Sequence, residues 1–389
     1  MWISRQHIAK IERAINSRPA VLLTGVRQSG KSSLLKKLLP QAEYVTLDRV
    51  ALAEEAEINP TRFLKKFNKQ TIIDEVQYAP SLFRDLKSLI DENRSLKGKW
   101  ILTGSQQFAL MSGVHESLAG RIRIIHLGTL SANELNATNL IKKKRDLIWK
   151  GGFPEIWAEK LDAEEFFEDY IQTYLERDLK DVLNITNLRD FRRLLSLLAL
   201  RCGQLLNFST LAKDIGVSVN TIKSWVSALE ASGLVILLPP YYNNLGKRLI
   251  KAPKLYFCDS GLAAALLNIN SLKTLDNSTH SGHLWENFVF AEFIKEGFIA
   301  GKNLFYYRDQ NSVEIDFIVE KDGQTHLIEA KESERPDRKK LNFKKVAKLF
   351  SEDVKCILAC GIEEKGRLDL TDFSVYNPLY GFSLFDKKN

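Results

Sequence analysis

The sequence predicts an α/β protein with a parallel, helix-covered sheet, a helical and winged-helix middle, and a second α/β unit. Between residues 20 and about 136, short apolar runs alternate with amphipathic helical patterns, which is typical of a parallel sheet covered by helices. Residues 151–154, Gly-Gly-Phe-Pro, form the strongest turn signal in the chain. More than one core fits 389 residues, since single domains usually stop growing at ~250–300 residues.

Apolar runs and helical periodicities define the expected elements along the chain. The strands of the first sheet are expected at Ala20–Thr24, Glu43–Leu47, Thr71–Ile73, Trp100–Thr103 and Ile122–Leu127. The second α/β unit is expected to have a helix at about 283–296 and strands at 304–308, 313–320, 325–331 and 354–360. We therefore predict four regions: a sheet domain at 1–140, a helical lid or linker at 141–205, a winged-helix-like module at 206–258 and an α/β domain at 280–389.

Composition excludes several classes of protein. The excess of 56 Lys and Arg over 48 Asp and Glu gives a net charge of +8 and a pI near 9.1, which mildly favours polyanionic partners. Four cysteines in so long a chain predict no disulfide framework. No stretch approaches the ~18 apolar residues of a membrane span, and the N-terminus lacks the apolar core of a signal peptide. We expect a cytoplasmic protein without a membrane partner.

A phosphate-binding motif follows the first predicted strand. Residues 25–32 match G-x-x-x-x-G-K-[ST] between an apolar strand and an amphipathic helix. The glycines let backbone N–H groups wrap phosphates, and Lys31 is expected to contact the β and γ oxygens, with the Ser32 hydroxyl on Mg²⁺. The sequence therefore predicts ATP and Mg²⁺ as cofactors. The expected binding residues are Gly25, Val26, Arg27, Gln28, Ser29, Gly30, Lys31, Ser32, Ser33 and Asp74.

Two adjacent carboxylates end the third predicted strand. Open α/β sheets bind their ligands at the carboxyl ends of strands, so Asp74 is expected to hold the metal or its water. Glu75 is expected to orient or deprotonate the attacking water. The run Glu43–Leu47 lies between the two motifs and implies a strand inserted between the P-loop strand and the Asp-Glu strand, as in the additional-strand branch of P-loop ATPases.

Two further places in the sequence offer candidates for contacting the nucleotide, one as a γ-phosphate sensor and one as a charge-neutralising arginine. The strand Trp100–Thr103 ends in polar residues, of which Ser105 or Gln106 is the expected sensor. Arg121 precedes the next strand, where it would face a nucleotide on an adjacent subunit of a homo-oligomer and neutralise transition-state charge. The alternative for Arg121 is an ordinary pair with a surface carboxylate.

On these residues the chain resembles a family of AAA-type ATPases of bacteria and archaea that carry a C-terminal, restriction-endonuclease-like domain of unknown function. The resemblance covers nearly the whole chain. It rests on Gly25–Ser33, Ile72–Gln77, Leu102–Ser105, Leu118–Arg121 and Gly151–Glu155, together with the C-terminal residues described below. It implies ATP binding and a fold rather than a biological role.

Residues 208–235 have the pattern of a helix-turn-helix, with apolar positions at core spacing and Gly216 at the tight turn. Gly233 is expected to end the second helix, after which Leu234–Leu238 and the basic stretch 246–254 supply the strands and wing of a winged helix. The residues expected to face a DNA groove are Ser218, Asn220, Thr221, Lys223 and Ser224, with Lys247, Arg248 and Lys251 on phosphates. The alternative is a protein-contact module or a lid.

The C-terminal unit carries charged side chains in an order that resembles the D…E-x-K arrangement of restriction-endonuclease-like domains. Glu286 lies on the predicted helix, Asp316 on one strand, and Glu329 and Lys331 on the next. In such an arrangement Asp316 and Glu329 bind Mg²⁺ with help from Glu286, and Lys331 orients the attacking water. The alternative is a solvated strand face, since charges at i and i+2 point the same way.

The leading hypothesis is that ATP binding and hydrolysis control the winged-helix and nuclease-like regions, acting on DNA. A second hypothesis is an ATP-dependent adaptor or sensor that uses the C-terminal regions for protein contacts, without nuclease activity. A third is a nuclease whose ATPase regulates access.

Overall fold

The computed structural model of the protein describes residues 1–104, 118–178, 187–241, 252–350, 353–363 and 366–381. The chain divides into two compact units, one formed chiefly by Trp2–Thr129 and the other chiefly by residues 130–230 and those from 234 onwards. Apart from Ala231–Gly233, the described residues of the predicted regions 141–205, 206–258 and 280–389 fall in the second unit.

The first unit is a five-stranded parallel sheet with helices on both faces. Its strands are β1 Ala20–Thr24, β2 Glu43–Thr46, β3 Thr71–Asp74, β4 Trp100–Gly104 and β5 Ile122–His126. Its helices are α1 Ile8–Ser17, α2 Lys31–Leu38, α3 Val50–Ile58, α4 Pro60–Leu64 and α5 Leu82–Glu92, with a 3₁₀ turn at Val76–Tyr78. The strand order is β2-β3-β4-β1-β5, and every neighbouring pair is parallel.

The alternating directions of side chains along the strands explain why both faces of this sheet are covered. In β1, Leu22 packs into one apolar cluster and Leu23 into the other. In β4, Leu102 and Ile101 divide in the same way. Because successive strand residues point to opposite faces, an uninterrupted apolar run is buried from both sides. The strand ends that carry the polar residues therefore remain as the edge at which a ligand can bind.

The five predicted strands of this sheet are confirmed to within one residue at each end. A strand does lie between β1 and β3, but the prediction of which strand is wrong. The inserted strand is β4, whereas Glu43–Thr46 forms β2, which pairs with β3 on the side away from β4. Chain order cannot reveal this, because parallel crossovers allow a later strand to enter between two earlier ones.

The second unit begins with helices. They are α6 Ala132–Asn136, α7 Asp146–Lys150, α8 Pro154–Ala158, α9 Ala163–Tyr170 with a π-helical continuation at Ile171–Asp178, and α10 Leu188–Leu200. The turn predicted at residues 151–154 packs closely against Asp259 and Leu130. The Asp259 carboxylate accepts hydrogen bonds from the backbone N–H of Gly152 and of Gly261, each at 2.9 Å. A Cβ on Gly152 would lie 2.1 Å from the Leu130 carbonyl oxygen, so this position requires glycine.

A helix pair and a short β-ribbon follow. Helices α11 Phe208–Ile215 and α12 Val219–Ala231 are joined at Gly216, whose φ of +89° suits glycine. Strands β6 Val235–Leu238 and β7 Lys254–Phe257 then pair antiparallel. The helix pair and the first strand agree with the sequence prediction. The basic residues Lys247, Arg248 and Lys251 lie outside the described residues.

A six-stranded mixed sheet completes the unit. Its strands are β8 Leu304–Arg308, β9 Glu314–Lys321, β10 Gln324–Lys331, β11 Lys355–Cys360, β12 Arg367–Asp369 and β13 Ser374–Tyr376, in the order β12-β13-β11-β10-β9-β8. Its helices are α13 Ser260–Leu266, α14 Leu272–Asp276, α15 Ser281–Lys295 and α16 Phe343–Ala347, with 3₁₀ turns at Arg338–Lys340 and Pro378–Tyr380. The four predicted strands are confirmed, and the short β12 and β13 were not predicted.

All four cysteines are free thiols, as the sequence predicted. In the part of the chain that the structure describes, no helix has the length and apolar character needed to cross a membrane.

Candidate functional site

The loop after β1 forms a cradle that only glycine permits at its first position. A Cβ on Gly25 would lie 2.1 Å from the Leu127 carbonyl oxygen, inside van der Waals contact. Gly30 has φ +88° and immediately precedes α2, so Lys31, Ser32 and Ser33 form the first turn of that helix. Val26 and Ser29 are buried, whereas Arg27 and Gln28 are exposed. The first helical turn is where backbone N–H groups are free to bind an anion.

Lys31 is buried and folds back onto this loop. Its Nζ donates hydrogen bonds to the carbonyl oxygens of Gly25, at 3.0 Å, and Val26, at 2.9 Å. Burial lowers the pKa of Lys31 to about 8, although Glu75 and Asp74 attract its charge. The ammonium therefore lies in the cradle, within the electrostatic reach of the two carboxylates that end β3.

The cradle also contains a polar atom suited to a ligand. The Ser29 hydroxyl is buried and has no hydrogen-bond partner among the described residues. Behind it, Arg5 donates to the carbonyl oxygens of Ser29, at 2.8 Å, and Gly128, at 2.7 Å. Sequence reasoning missed Arg5, because no motif marks an arginine so far from the loop that it supports. These features fit a phosphate group with a bound Mg²⁺.

Both oxygens of the Asp74 carboxylate accept hydrogen bonds from neighbouring strands. The Tyr44 hydroxyl on β2 donates to Oδ2 at 2.5 Å, and the Thr103 hydroxyl on β4 donates to Oδ1. Burial and the Asp74 carboxylate raise the pKa of Tyr44, which keeps the phenol protonated as a donor. The Lys36 ammonium lies 3.9 Å from the centre of the Tyr44 ring. Asp74 is thus oriented by two residues that sequence reasoning did not select.

Glu75 has a left-handed backbone conformation, with φ +57°, which is uncommon for a residue other than glycine. Its carboxylate accepts a hydrogen bond from the Gln77 side chain at 2.5 Å. The side-chain donors therefore differ: Gln77 donates to Glu75, whereas Tyr44 and Thr103 donate to Asp74. Strained backbone of this kind is often found at functional sites.

Of the remaining candidates in this unit, Ser105 and Gln106 lie outside the described residues. Arg121 makes a bidentate salt bridge with Asp91 of the same chain. Its Nε donates to Asp91 Oδ1 and its Nη2 to Asp91 Oδ2, each at 2.8 Å. Its neighbourhood therefore matches the surface-carboxylate alternative. The pair lowers the pKa of Asp91 well below its usual range, since Arg121 and Arg94 both donate to it.

On the second helix of the pair, one face is exposed. Asn220, Lys223 and Ser224 are open to solvent, and Ser227 continues the row by one turn. Ser218 and Thr221 instead interact at the helix start, where the Ser218 hydroxyl accepts from the Thr221 N–H at 3.0 Å. The opposite face, with Ile222, Trp225 and Leu229, is buried.

The C-terminal charged residues come together with a lysine that sequence reasoning had placed in the wing. Lys254, at the start of β7, is only 2% exposed. Its Nζ lies 2.9 Å from Glu286 Oε1, 2.5 Å from Glu314 Oε1 and 3.7 Å from Asp316 Oδ1. Lys331 Nζ lies 2.9 Å from Asp316 Oδ2 and 2.8 Å from Glu329 Oε2. We call these six residues the charge cluster: Lys254, Glu286, Glu314, Asp316, Glu329 and Lys331.

Protonation in the charge cluster follows from burial and pairing. Burial raises the pKa of Glu286 to about 7, against the attraction of Lys254. Burial opposes ionisation of Asp316 too, but Lys331 and Lys254 outweigh it and lower its pKa. For Lys254, burial alone favours the neutral amine, but the carboxylates raise its pKa above the usual value. Lys254 is therefore a buried, charged lysine.

The sequence predicted four members of the charge cluster, and the structure brings all four together. It adds Lys254 and Glu314, and it supplies the Tyr256 hydroxyl, which donates to Glu286 at 2.6 Å. The sequence signal that could have identified Lys254 is its position as a lysine at the start of the apolar strand Lys-Leu-Tyr-Phe. As arranged, the carboxylates face ammonium groups, and the described residues contain no group of three or more acidic, His or Cys side chains set up to hold a metal ion. This arrangement does not fit a bound metal.

Family models match three consecutive parts of the chain. An AAA domain matches residues 17–136, a domain of unknown function (DUF8612) matches 141–273, and another (DUF4143) matches 281–376. The first match coincides with the parallel sheet and its glycine cradle. Residues 17–136 are therefore a P-loop ATPase domain of the AAA type.

Similar full-length proteins occur in bacteria and archaea. The uncharacterized protein Rv2008c of Mycobacterium tuberculosis is 31% identical over 336 residues, which cover 85% of this chain and 74% of the relative. The chain belongs to the Rv2008c family. The uncharacterized protein MJ1544 of Methanocaldococcus jannaschii is 24% identical over 334 residues, covering 77% of this chain and 71% of the relative.

The comparison with solved structures found one archaeal and one bacterial protein, among others. The Walker-type ATPase PABY2304 of Pyrococcus abyssi is 16% identical, with a TM-score of 0.48, over 68% of this chain and 96% of the other. The RuvB Holliday junction branch migration motor of Thermotoga maritima is 17% identical, with a TM-score of 0.32, over 61% and 90%.

Replacing Tyr44 by Phe tests the orientation of Asp74. The change removes one of the two hydroxyls that fix the carboxylate while keeping the ring under Lys36. Partners of metal-binding carboxylates typically affect metal affinity or activity by 10–100-fold. We expect the Mg²⁺ concentration for half-maximal ATP hydrolysis to rise about tenfold, with Mg²⁺-free ATP binding unchanged.

The matched control is Tyr78→Phe, which removes a hydroxyl from an exposed tyrosine on the following turn. Thermal unfolding of both variants checks that the sheet is intact. An unchanged Mg²⁺ dependence in the stably folded Tyr44→Phe protein would rule out this positioning role.

Proposed function

We propose that this chain binds ATP with Mg²⁺ in the cradle of residues 25–33 and hydrolyses it. The observation that carries the proposal is the convergence of three features at one edge of the sheet. These are a loop that tolerates only glycine at Gly25, a buried lysine at its base, and the two carboxylates at the end of β3. The AAA domain match over the same residues supports it.

Different side chains of the protein have separate proposed roles in ATP binding and hydrolysis. Lys31 exchanges its two carbonyl partners for phosphate oxygens, since a charged acceptor makes a stronger hydrogen bond than a neutral one. Ser32 and Asp74 are the proposed holders of Mg²⁺, which supplies neutralisation of phosphate charge when bound. Glu75, once released by Gln77, orients the attacking water and accepts its proton. Ser105 remains the proposed γ-phosphate sensor.

Two substitutions separate binding from turnover. Lys31→Ala should weaken ATP binding, because it removes the ammonium from the cradle. Glu75→Gln should leave binding intact and lower the turnover rate by about 100-fold or more, as expected for loss of a general base. Binding is measured with a fluorescent ATP analogue and turnover by phosphate release.

Lys37→Ala is the matched control, since Lys37 lies on the same helix but is exposed. We expect it to behave as the wild type in both assays. Wild-type turnover by both the Lys31→Ala and the Glu75→Gln proteins would refute the assignment of this site.

We further propose that nucleotide state controls the C-terminal regions on DNA, with residues 206–258 as a winged helix. The exposed row Asn220, Lys223, Ser224 and Ser227 supports this, because it gives one polar helix face free to enter a groove. Lys247, Arg248 and Lys251 are the proposed phosphate contacts of the wing. The net charge of +8 favours the same partner.

Salt dependence tests DNA binding by this module. Each phosphate contact contributes a slope of about 0.9 to the plot of log affinity against log salt. Replacing Lys247, Arg248 and Lys251 together by Gln should therefore reduce the slope by up to about three units. The control is the exposed Lys273→Gln, and titrations are repeated with a non-hydrolysable ATP analogue to detect coupling. Absent or salt-insensitive binding by the wild type would contradict the proposal.

Residues 280–389 are proposed to have a restriction-endonuclease-like fold, on the order of Glu286, Asp316, Glu329 and Lys331 in a helix and two paired strands. A second candidate function follows from the state of these side chains. Ammonium groups occupy the carboxylates that a nuclease would use for metal. This favours an ATP-dependent adaptor or sensor, in which the domain makes protein contacts without cleaving nucleic acid.

Cleavage assays separate these candidates. Linear and circular DNA are incubated with Mg²⁺ or Mn²⁺ and either wild type or Lys331→Ala, with Lys339→Ala as a control on the same domain. The adaptor candidate predicts identical, uncut DNA in all lanes. Metal-dependent cutting by the wild type that Lys331→Ala abolishes would replace it by the nuclease candidate.

A further inference from the structure

An arginine from outside the P-loop is part of the wall of the phosphate cradle. Arg5 precedes α1 and is only 6% exposed. Its Nη1 donates to the Ser29 carbonyl oxygen at 2.8 Å. Its Nη2 donates to the carbonyl oxygens of Gly128, at 2.7 Å, and Thr129, at 3.3 Å. One guanidinium therefore joins the P-loop to the segment that follows β5.

The segment after β5 is itself held against the beginning of the P-loop. The Leu127 N–H donates to the Thr24 carbonyl oxygen at 2.7 Å, which continues the pairing of β5 with β1. The Gly25 backbone lies so close to this segment that a Cβ would be 2.1 Å from the Leu127 carbonyl oxygen. The P-loop is consequently held at two points, by close packing at Gly25 and by Arg5 at Ser29.

The hydrogen bond from Arg5 sets the direction of the next backbone amide. In a planar trans peptide, the C=O group and the following N–H group point in opposite directions, and the described residues contain no cis peptide bond. Because the Ser29 carbonyl faces Arg5, the Gly30 N–H points away from the guanidinium. Backbone N–H groups of this motif bind the α- and β-phosphates of a nucleotide. Arg5 thus acts on a phosphate-binding amide through the backbone.

Arg5 and Lys31 hold the P-loop in different ways. Lys31 contacts the carbonyl oxygens of Gly25 and Val26, and the proposed function has it exchange both for phosphate oxygens. Arg5 has three carbonyl acceptors that come from two separate segments of the chain. No exchange is needed there, so Arg5 can keep its partners while the nucleotide binds and leaves.

We infer that Arg5 is a positioning residue for nucleotide binding, which holds the Ser29–Gly30 peptide with the Gly30 N–H directed at the β-phosphate before the nucleotide arrives. An arginine suits this role because its rigid fork presents two nitrogens to two carbonyl groups, whereas a lysine has one flexible ammonium. A loop already in its bound conformation avoids the cost of ordering on binding. This inference rests on the proposed ATP binding by residues 25–33 and adds a residue outside that motif.

Replacing Arg5 by Lys tests the role, because it keeps the positive charge and removes the fork. We expect the Kd for ATP and the Kd for ADP to rise by the same factor, about tenfold or more, since both carry a β-phosphate and small misplacements of binding groups are costly. The KM for ATP should rise with the Kd, and kcat at saturating ATP should stay within about twofold of wild type, as for loss of uniform binding.

Arg18→Lys is the matched control. Arg18 is an exposed arginine of the same unit, and its Nη1 also donates to a backbone carbonyl oxygen, that of Gly120, at 3.5 Å. This variant should have wild-type Kd and kcat values. Thermal unfolding of both variants measures whether the sheet remains folded.

A second readout uses the wild-type protein, so it does not depend on the folding of a variant. Phenylglyoxal labelling of arginines, followed by mass spectrometry, should modify Arg5 slowly and Arg18 quickly, since Arg5 is buried and hydrogen-bonded without a nucleotide. Saturating ADP should leave both labelling rates unchanged. Rapid labelling of Arg5 that ADP suppresses would overturn the inference, because Arg5 would then hold the loop only after binding.

The outcomes separate this inference from the proposed function. If the wild type binds neither ATP nor ADP, the proposed function is refuted, and the role of Arg5 with it. If the wild type binds both and Arg5→Lys has the same Kd values, only the positioning role is overturned. A loss of affinity confined to ATP would overturn the assignment to the β-phosphate. A lower kcat with an unchanged KM would overturn the inference in favour of a purely structural arginine.

Discussion

The burial of the Lys254 charge is the constraint on which the larger unit depends. An ammonium with almost no solvent contact must keep its carboxylate partners within hydrogen-bond distance, and these partners come from a helix and a strand of the C-terminal sheet. The β-ribbon that follows the helix pair is thereby fixed to the domain that carries Asp316, Glu329 and Lys331.

The P-loop and the charge cluster differ in how strongly their charged groups are already paired within the protein. At the P-loop, Lys31 rests on backbone carbonyls, which are weak partners for a cation, and the Ser29 hydroxyl has no partner among the described residues. That arrangement is ready to exchange for a polyphosphate. In the charge cluster, ammonium groups already contact the carboxylates, so a metal must displace a strong partner. Lys31 thus has weak partners that a ligand could replace, whereas the carboxylates of the charge cluster already have lysine partners.

Local signals explain what the sequence could predict. Apolar runs located β1 to β5 and β8 to β11 within about a residue, and the P-loop spacing located Lys31, since both depend on neighbours in the chain. Long-range contacts could not be predicted: Tyr44 reaches Asp74 from another strand, Arg5 supports a loop more than twenty residues away, and Lys254 pairs across thirty residues or more. For Arg121, the sequence allowed either a role at a neighbouring nucleotide or a surface ion pair, and the geometry places Asp91 beside it.

We propose that the chain takes one divalent cation together with its nucleotide, whereas Lys254 and Lys331 already neutralise the carboxylates of the charge cluster. The most direct measurement is the number of Mn²⁺ ions bound per wild-type chain at micromolar Mn²⁺, with and without a non-hydrolysable ATP analogue. We expect one ion with the analogue, none without it, and none in either condition for Lys31→Ala. A tightly bound ion that is present without nucleotide and survives in Lys31→Ala would contradict it.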